Sequence, residues 1–422
     1  MLDRKFIVEN VELVKQNCVN RGVRVEIDRL VELDSRRKAC QLNVDQLNRQ
    51  ANEVAKSIGK AKDRAQRDAL KEEGRRLRDE TAAAQAEMDQ VADELGRLLR
   101  MIPNLTHPSA PIGMEPAEVG RGRTLLPQFG FKPLDHVEIG ERLDLMDFEA
   151  AARVTGHGFY FLKNEAVLLE LALQRYALGV LADEGFTLAA TPDLARNEIL
   201  EGIGFIPRGP ETQIYSIEGS DLSLVATAEI TLGGMLAGQV IEAERLPIKI
   251  CGISHCFRTE AGAHGRQTRG LFRVHQFTKV EMFAFTLPDQ SDSILEYFRG
   301  LECRIFDGLG IPYRVIDTPS GDLGGPAYRK YDLEAWMPGR GEFGEVTSTS
   351  NCTDYQARRL NIRYRVKGEK GTHFAHTLNG TAIAVSRALV AILENYQQPD
   401  GSVVIPEALR PVVGKDRIEA RL

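Results

Sequence analysis

The sequence predicts an α+β protein: an antiparallel sheet flanked by helices, preceded by an antiparallel α-helical coiled-coil arm at the N-terminus. Three observations carry this expectation. Residues 26–102 hold no proline and repeat apolar positions at steps of three and four. Residues 246–285 form two β-rich runs around a Gly- and Arg-rich loop at 259–270, the pattern of a long antiparallel hairpin. The segments LLELALQRYALGVLA (168–182) and GTAIAVSRALVAILENY (380–396) are apolar at helical spacing and suit helices packed on such a sheet.

The arm is read from two seams. Leu30, Leu33, Arg37, Cys40, Val44, Leu47, Ala51, Val54 and Ile58 form the first; Leu70, Gly74, Leu77, Thr81, Ala84, Met88, Val91, Leu95 and Leu98 form the second. Gly59 is a helix stop between them, so the helices fold back on each other, each roughly 45 Å long at ~1.5 Å per residue. From Arg49 to Arg78 there are ten basic and five acidic residues, an excess of +5 in a chain of net charge −6. Interleaved charges on a coiled coil are ordinarily a solvated exterior. Their concentration at the expected tip, farthest from the globular body, favours contact with a phosphate backbone.

With 422 residues the chain has room for two or three domains, and 27% charged with 43% apolar residues is ordinary for a soluble globular protein. The negative net charge means that a nucleic-acid partner would have to meet a local basic surface. Six cysteines without a CxxC pair argue against a structural zinc site and a secreted disulfide scaffold, so no zinc is expected and a cytoplasmic location fits. The opening MLDRKFIVEN lacks the apolar core of a signal peptide, and no membrane residence is expected. Residues 1–102 are assigned to the arm (coiled-coil hairpin about 27–102), proline-spaced residues 103–135 to a linker, and 136–422 to the globular domain.

Within that domain several positions carry chemistry. Alternation places Arg273, His275, Phe277, Lys279 and Glu281 on one face of the second hairpin limb, with Phe272, Val274, Gln276, Thr278, Val280 and Met282 on a core face. A solvated face is the plainer reading of such charges. The aromatic ring, with Arg258, Glu260, Arg266 and Arg269 and the loop glycines, favours an anionic, ring-bearing ligand instead. LVATAEI presents Thr227 and Glu229 on one face of a short strand or turn, suited to a small zwitterion. FGEVTSTSNCTD (343–354) is a polar strand paired with YDLEAWM; its Glu345 and Ser348 are hard oxygen donors, or Glu345 is simply solvated or salt-bridged. Arg387, inside the last apolar helix, requires an anion, from a protein carboxylate or a ligand.

These residues also carry a family resemblance. FRTEAG (257–262), RGLFRVHQF (269–277) and KVE (279–281) resemble motif 2 of class II aminoacyl-tRNA synthetases, in the form found in seryl-tRNA synthetases. TAE (227–229), GDLG (321–324), YDLEAW (331–336), TSTSNCTDYQARR (347–359) and HTLNGTAIAVSRALVAILENYQ (376–397) follow in the family's order, and with the arm the resemblance spans essentially the whole chain. Proline usually precedes the TAE; this chain has Ala226.

The resemblance implies a class II catalytic core that joins serine to serine tRNA through a seryl-adenylate, and it leaves open whether selenocysteine tRNA is a further acceptor. Partners would be ATP, L-serine, tRNA gripped by the arm, and a second copy of the chain through the 168–192 helix and strand. It assigns Arg258 to the α-phosphate and Arg387 to the γ-phosphate as the catalytic pair, Phe277 to stacking on adenine, and Glu260, with Thr259, to the nucleotide. Glu345, Val346, Thr347 and Ser348 complete the ATP site, Glu345 and Ser348 also holding Mg²⁺. Serine falls to Thr227, Ala228, Glu229, Glu281, Asn379 and Thr381. A ligase acting on a carrier protein would lack the arm, and a non-catalytic RNA-binding relative would have lost some of Arg258, Glu281, Glu345 and Arg387.

Overall fold

The computed structural model describes residues 1–205, 213–261 and 270–419. The chain divides into two compact units, Met1–Pro103 and Asn104–Leu422.

In the first unit two short helices, Arg4–Glu9 and Val11–Asn20, precede two long ones, Ile27–Ile58 and Arg64–Met101, which pack antiparallel. The first long helix stops at Gly59, and Asp63 caps the second by accepting the Gln66 N–H at 2.8 Å. The seam residues Val44, Leu77, Ala84, Val91 and Leu95 are buried as the heptads predict. At the C-terminal end Leu99, rather than Leu98, is the buried leucine. Arg29–Glu94 (2.9 Å) and Arg36–Glu87 (2.6 Å) bridge the helices beside the seam. The residues around the turn are mostly exposed, so the basic excess there faces solvent.

The second unit is built on an eight-stranded sheet. Its order is Ala117–Arg121, Tyr313–Asp317, Arg329–Met337, Glu342–Asn351, His376–Ala384, Gln276–Thr286, Ile248–Phe257 and Thr187–Ala190. Every pair is antiparallel except the last, in which Thr187–Ala190 runs parallel to Ile248–Phe257. The segment read as a linker therefore supplies an edge strand. Helices Glu165–Asp183, Ser291–Gly308 and Val385–Asn395 contribute to one apolar cluster with Val280, Met282 and Ala284. A second cluster gathers the shorter helices Asn197–Ile203 and Ala228–Gly234 against Phe283 and Phe285. Strand Gln276–Thr286 is thus buried on both faces, and each fully buried phenylalanine contributes ~1.5–3 kcal/mol. No helix among the described residues is long and apolar enough to cross a membrane.

Two further expectations change in this unit. The last helix begins at Val385, and Gly380–Ala384 extends strand His376–Ala384, so Thr381 is a strand residue. Thr227 and Glu229 lie at the start of helix Ala228–Gly234: the Thr227 hydroxyl accepts the Glu229 N–H at 3.1 Å, a cap that a short polar side chain favours over a strand.

Candidate active site

Four adjacent strands place the chemistry. The hairpin partners Ile248–Phe257 and Gln276–Thr286 lie beside His376–Ala384 and Glu342–Asn351. Thr381 is opposite Glu281 in register, and its hydroxyl approaches the Glu281 carboxylate at 3.3 Å.

A bulge at Val346 settles one conflict in the sequence. Strict alternation would send Glu345 and Ser348 to opposite faces, but the register skips a residue between Glu345 and Thr347. Both side chains then border one cavity, which also meets Arg258, Glu260, Phe277, Thr381 and Arg387. A second register shift lies between Thr381 and Ile383 on the neighbouring strand. Val346 lines the cavity yet is buried in the core, and Thr347 turns its hydroxyl away, donating to Glu302 at 2.9 Å.

The cavity is rich in guanidinium. Arg258 lies over the Phe277 ring with 5.3 Å to its centroid, and its Nε donates to the Ala226 carbonyl at 3.4 Å. Arg387 donates to the backbone oxygens of Glu345 (3.0 Å) and Phe272 (3.3 Å) and stands 3.4 Å from the Glu345 carboxylate. Burial alone would raise the Glu345 carboxyl; Arg387, Lys330 and Arg258 outweigh it and hold it below the usual carboxylate range. Glu260 adopts a left-handed backbone (φ 49°), and its carboxylate pairs with Arg273 at 3.6 Å.

A second group of residues carries acidic charge. Glu281 is in contact with the Lys279 ammonium, and both are buried. Glu229 accepts from Gln356 at 2.7 Å and Asn379 at 2.9 Å, and burial, then the nearby Glu281 charge, pushes its carboxyl up to about 7. Ala228 and Thr227 are buried beside it.

Residues 271–275 are not a strand; Phe272 and Val274 are buried as alternation expects, Phe272 within the main apolar cluster, and both also line the cavity. His275 instead holds the Arg258 carbonyl through Nδ1 at 2.8 Å, and its backbone N–H donates to the Gly158 carbonyl at 2.9 Å. The Thr259 N–H donates to the Gln213 carbonyl at 3.1 Å, and Thr259 does not line the cavity. Arg266 and Arg269 lie outside the described residues. Sequence reasoning placed Arg273 and Lys279 on the ligand-facing side without naming a contact for either, and it missed Phe272 and Gln356. Lys279 was visible as the charged residue two before Glu281 on one face; nothing in a linear pattern announces that Gln356 reaches Glu229.

Mg²⁺ needs few protein ligands when phosphates supply the rest. A charged carboxylate and a hydroxyl on one cavity wall fit it, without the cluster of three acidic or nitrogen side chains that none of the described residues form.

Residues 1–106 match the family described as the seryl-tRNA synthetase N-terminal domain, and residues 214–396 match the tRNA synthetase class II core domain (G, H, P, S and T). The chain is 60% identical over 421 residues to the serine--tRNA ligase of Rhodopirellula baltica, with 99% of each chain covered. Among solved structures, seryl-tRNA synthetase from Pyrococcus horikoshii complexed with ATP has a TM-score of 0.91 at 39% identity, with 100% of both chains covered. The cytoplasmic serine-tRNA ligase of Naegleria fowleri in complex with AMP has a TM-score of 0.84 at 33% identity, covering 98% of this chain and 96% of that one. With likeness of this extent in sequence, in both family domains and in fold, the chain belongs to the seryl-tRNA synthetase family.

Proposed function

We propose that this enzyme, a serine–tRNA ligase of class II, activates L-serine with ATP as seryl-adenylate and passes the seryl group to serine tRNA. The observation that carries the reading is the joining of two guanidiniums, Arg258 and Arg387, with the Phe277 ring in one cavity that Thr381 also lines, its hydroxyl 3.3 Å from the buried Glu281 carboxylate.

The serine carboxylate attacks the α-phosphorus and pyrophosphate leaves; the terminal ribose hydroxyl of the tRNA then attacks the seryl carbonyl, the bond to phosphate breaks, and AMP and the hydroxyl proton are released. Neither step needs a protein nucleophile, so catalysis rests on position and charge. Arg258 stabilises the charge on the α-phosphate and Arg387 that on the γ-phosphate, each half-buried and held by backbone carbonyls. Phe277 stacks on adenine, Thr259 and Glu260 flank it, and Val346 and Thr347 shape the wall between Glu345 and Ser348. Those two residues would hold Mg²⁺, which when bound neutralises phosphate charge.

Glu281 and Thr381 converge on the serine hydroxyl. Lys279 already compensates Glu281, which leaves Glu229, oriented by Asn379 and Gln356, to face the ammonium beside Thr227 and Ala228. Alanine would leave Glu281 and Thr381 without a polar partner, and such losses discriminate strongly.

The basic hairpin of residues 49–78 serves as the tRNA-binding surface. A cytoplasmic homodimer is supported by the exposed apolar residues Leu168 and Leu171 on helix Glu165–Asp183 and Leu188 on the edge strand. The test is amino-acid-dependent exchange of pyrophosphate into ATP, without tRNA, with serine, threonine, alanine, glycine and cysteine. Exchange with serine alone is expected; exchange with none would sink the activation reading.

A further inference from the structure

His136 and Glu394 form a buried pair, 4% and 0% exposed, with no part in the chemistry above. His136 opens helix His136–Arg142 and Glu394 lies in the last turn of Val385–Asn395. Glu394 Oε1 accepts from the His136 ring at Nδ1 (2.9 Å) and from its backbone N–H (3.1 Å), while Oε2 accepts from the Gly339 N–H (2.9 Å). The other ring nitrogen, Nε2, accepts the Leu271 N–H at 3.1 Å. One tautomer, with its proton on Nδ1, satisfies both contacts.

Leu271 is followed by Phe272. The Phe272 carbonyl accepts from Arg387 Nε at 3.3 Å, and its ring lies beneath two guanidiniums, Arg387 at 5.0 Å and Arg340 at 4.5 Å. Arg387 and Glu394 are two turns apart on one helix. The hydrogen bonds therefore close a circuit from Leu271 through His136, Glu394 and the helix to Arg387 and back to Phe272. A second circuit passes from Glu394 through Gly339 to Arg340 and the same ring. There is no slack in either: a Cβ on Gly270 (φ 74°) would stand 2.0 Å from His136 Nε2, and one on Gly339 would stand 2.5 Å from the Asp135 Cα.

We propose that His136 is a positioning residue for nucleotide binding: its ring, oriented by Glu394, fixes the Leu271–Phe272 backbone and thereby aims the Arg387 guanidinium into the cavity. This rests on the nucleotide reading of that cavity, and its readout is ATP binding rather than serine activation.

The test is calorimetric titration of ATP without serine, and of serine without ATP, on the full-length wild type, His136→Asn, His136→Gln and Glu394→Gln. Asparagine keeps a donor at the Nδ1 position but cannot reach Leu271; glutamine restores an acceptor near Nε2. The ATP Kd should rise about tenfold in His136→Asn, the effect of one buried hydrogen bond, and stay within about threefold of wild type in His136→Gln. Glu394→Gln should weaken ATP several-fold, and serine affinity should stay within about twofold throughout. Unchanged ATP affinity in His136→Asn or Glu394→Gln, a joint loss of ATP and serine, or glutamine no better than asparagine would overturn the proposal. If His136→Asn does not fold, Glu394→Gln decides alone by the same contrast. A wild type that binds ATP but shows no serine-dependent exchange would end the activation reading and leave this test standing; one that binds no ATP overturns both.

Discussion

Glu229 and Glu281 are neighbouring buried carboxylates with different compensation: Glu281 has the Lys279 ammonium against it, while Glu229 is hydrogen-bonded by the amides of Gln356 and Asn379 and feels the Lys279 and Arg258 charges without pairing with either. One carboxylate has its cation within the fold, and burial outweighs the more distant cations around the other.

The first prediction follows from that difference. In the free protein Glu229 titrates near 7, raised by burial and then by Glu281. An ammonium prefers the carboxylate, so the serine KM should rise as pH falls below about 7, approaching tenfold per unit. Glu229→Gln should remove this slope and raise the KM at pH above 7. Pyrophosphate exchange across that range measures both, and a flat serine KM would take Glu229 off the ammonium.

Glu302 gives a stability prediction. It is fully buried, its Oε1 has no hydrogen-bond partner, and burial raises its carboxyl well above the usual range. The folded state then holds the proton that the unfolded state releases, so its contribution to stability falls as pH climbs above the unfolded value, by up to ~1.4 kcal/mol per unit. Glu302→Gln should flatten that fall in denaturation curves recorded from about pH 5 upward. An unaltered pH dependence would count against a buried neutral acid.

Arg387→Ala should lower kcat/KM for ATP by about 10²–10³-fold, the scale of losing one preorganised charge donor, with serine KM nearly unchanged. Arg387→Lys should recover little, because an ammonium cannot keep the Phe272 and Glu345 carbonyls while also meeting a phosphate. Full rescue by lysine would reduce the role of Arg387 to bare charge.

The arm carries its own test. Replacing the exposed Lys60, Lys62, Arg67 and Arg75 with glutamine should raise the tRNA KM and leave tRNA-independent exchange as it was. The salt dependence of tRNA binding should become shallower by roughly 0.7–0.9 for each phosphate that is no longer neutralised. Unchanged tRNA affinity would mean that the basic turn is merely solvated.

The heptad seams were legible because long helices repeat one local rule, and position after position of the first seam is shielded in the structure. The polar strand around Glu345 was equally readable, but its bulge was not: alternation contains no signal for a skipped residue, and the skip at Val346 is what lets Ser348 join Glu345. Gly380–Ala384 looked helical because apolar residues buried on both faces have no distinctive period. Thr227 departs in the other direction; Thr-Ala-Glu before an apolar run is also a helix-start signal, and the cap prevailed. The resemblance supplied the roles proposed for the site residues. Pairings such as Gln356 with Glu229, or His136 with Glu394, depend on backbone distant in sequence and could not be read from either segment alone.

The strand order also bears on when the protein acquires its function during synthesis. Strand Gln276–Thr286 has as its inner neighbour His376–Ala384, which is translated much later, and Arg387 follows that strand. A nascent chain that has emerged only through the hairpin carries Arg258, Phe277 and Glu281 but no wall opposite them. The exposed strand edge must await the C-terminal segment, so ribosome-bound fragments lack a complete substrate site, and early termination yields an inactive chain with an edge open to aggregation.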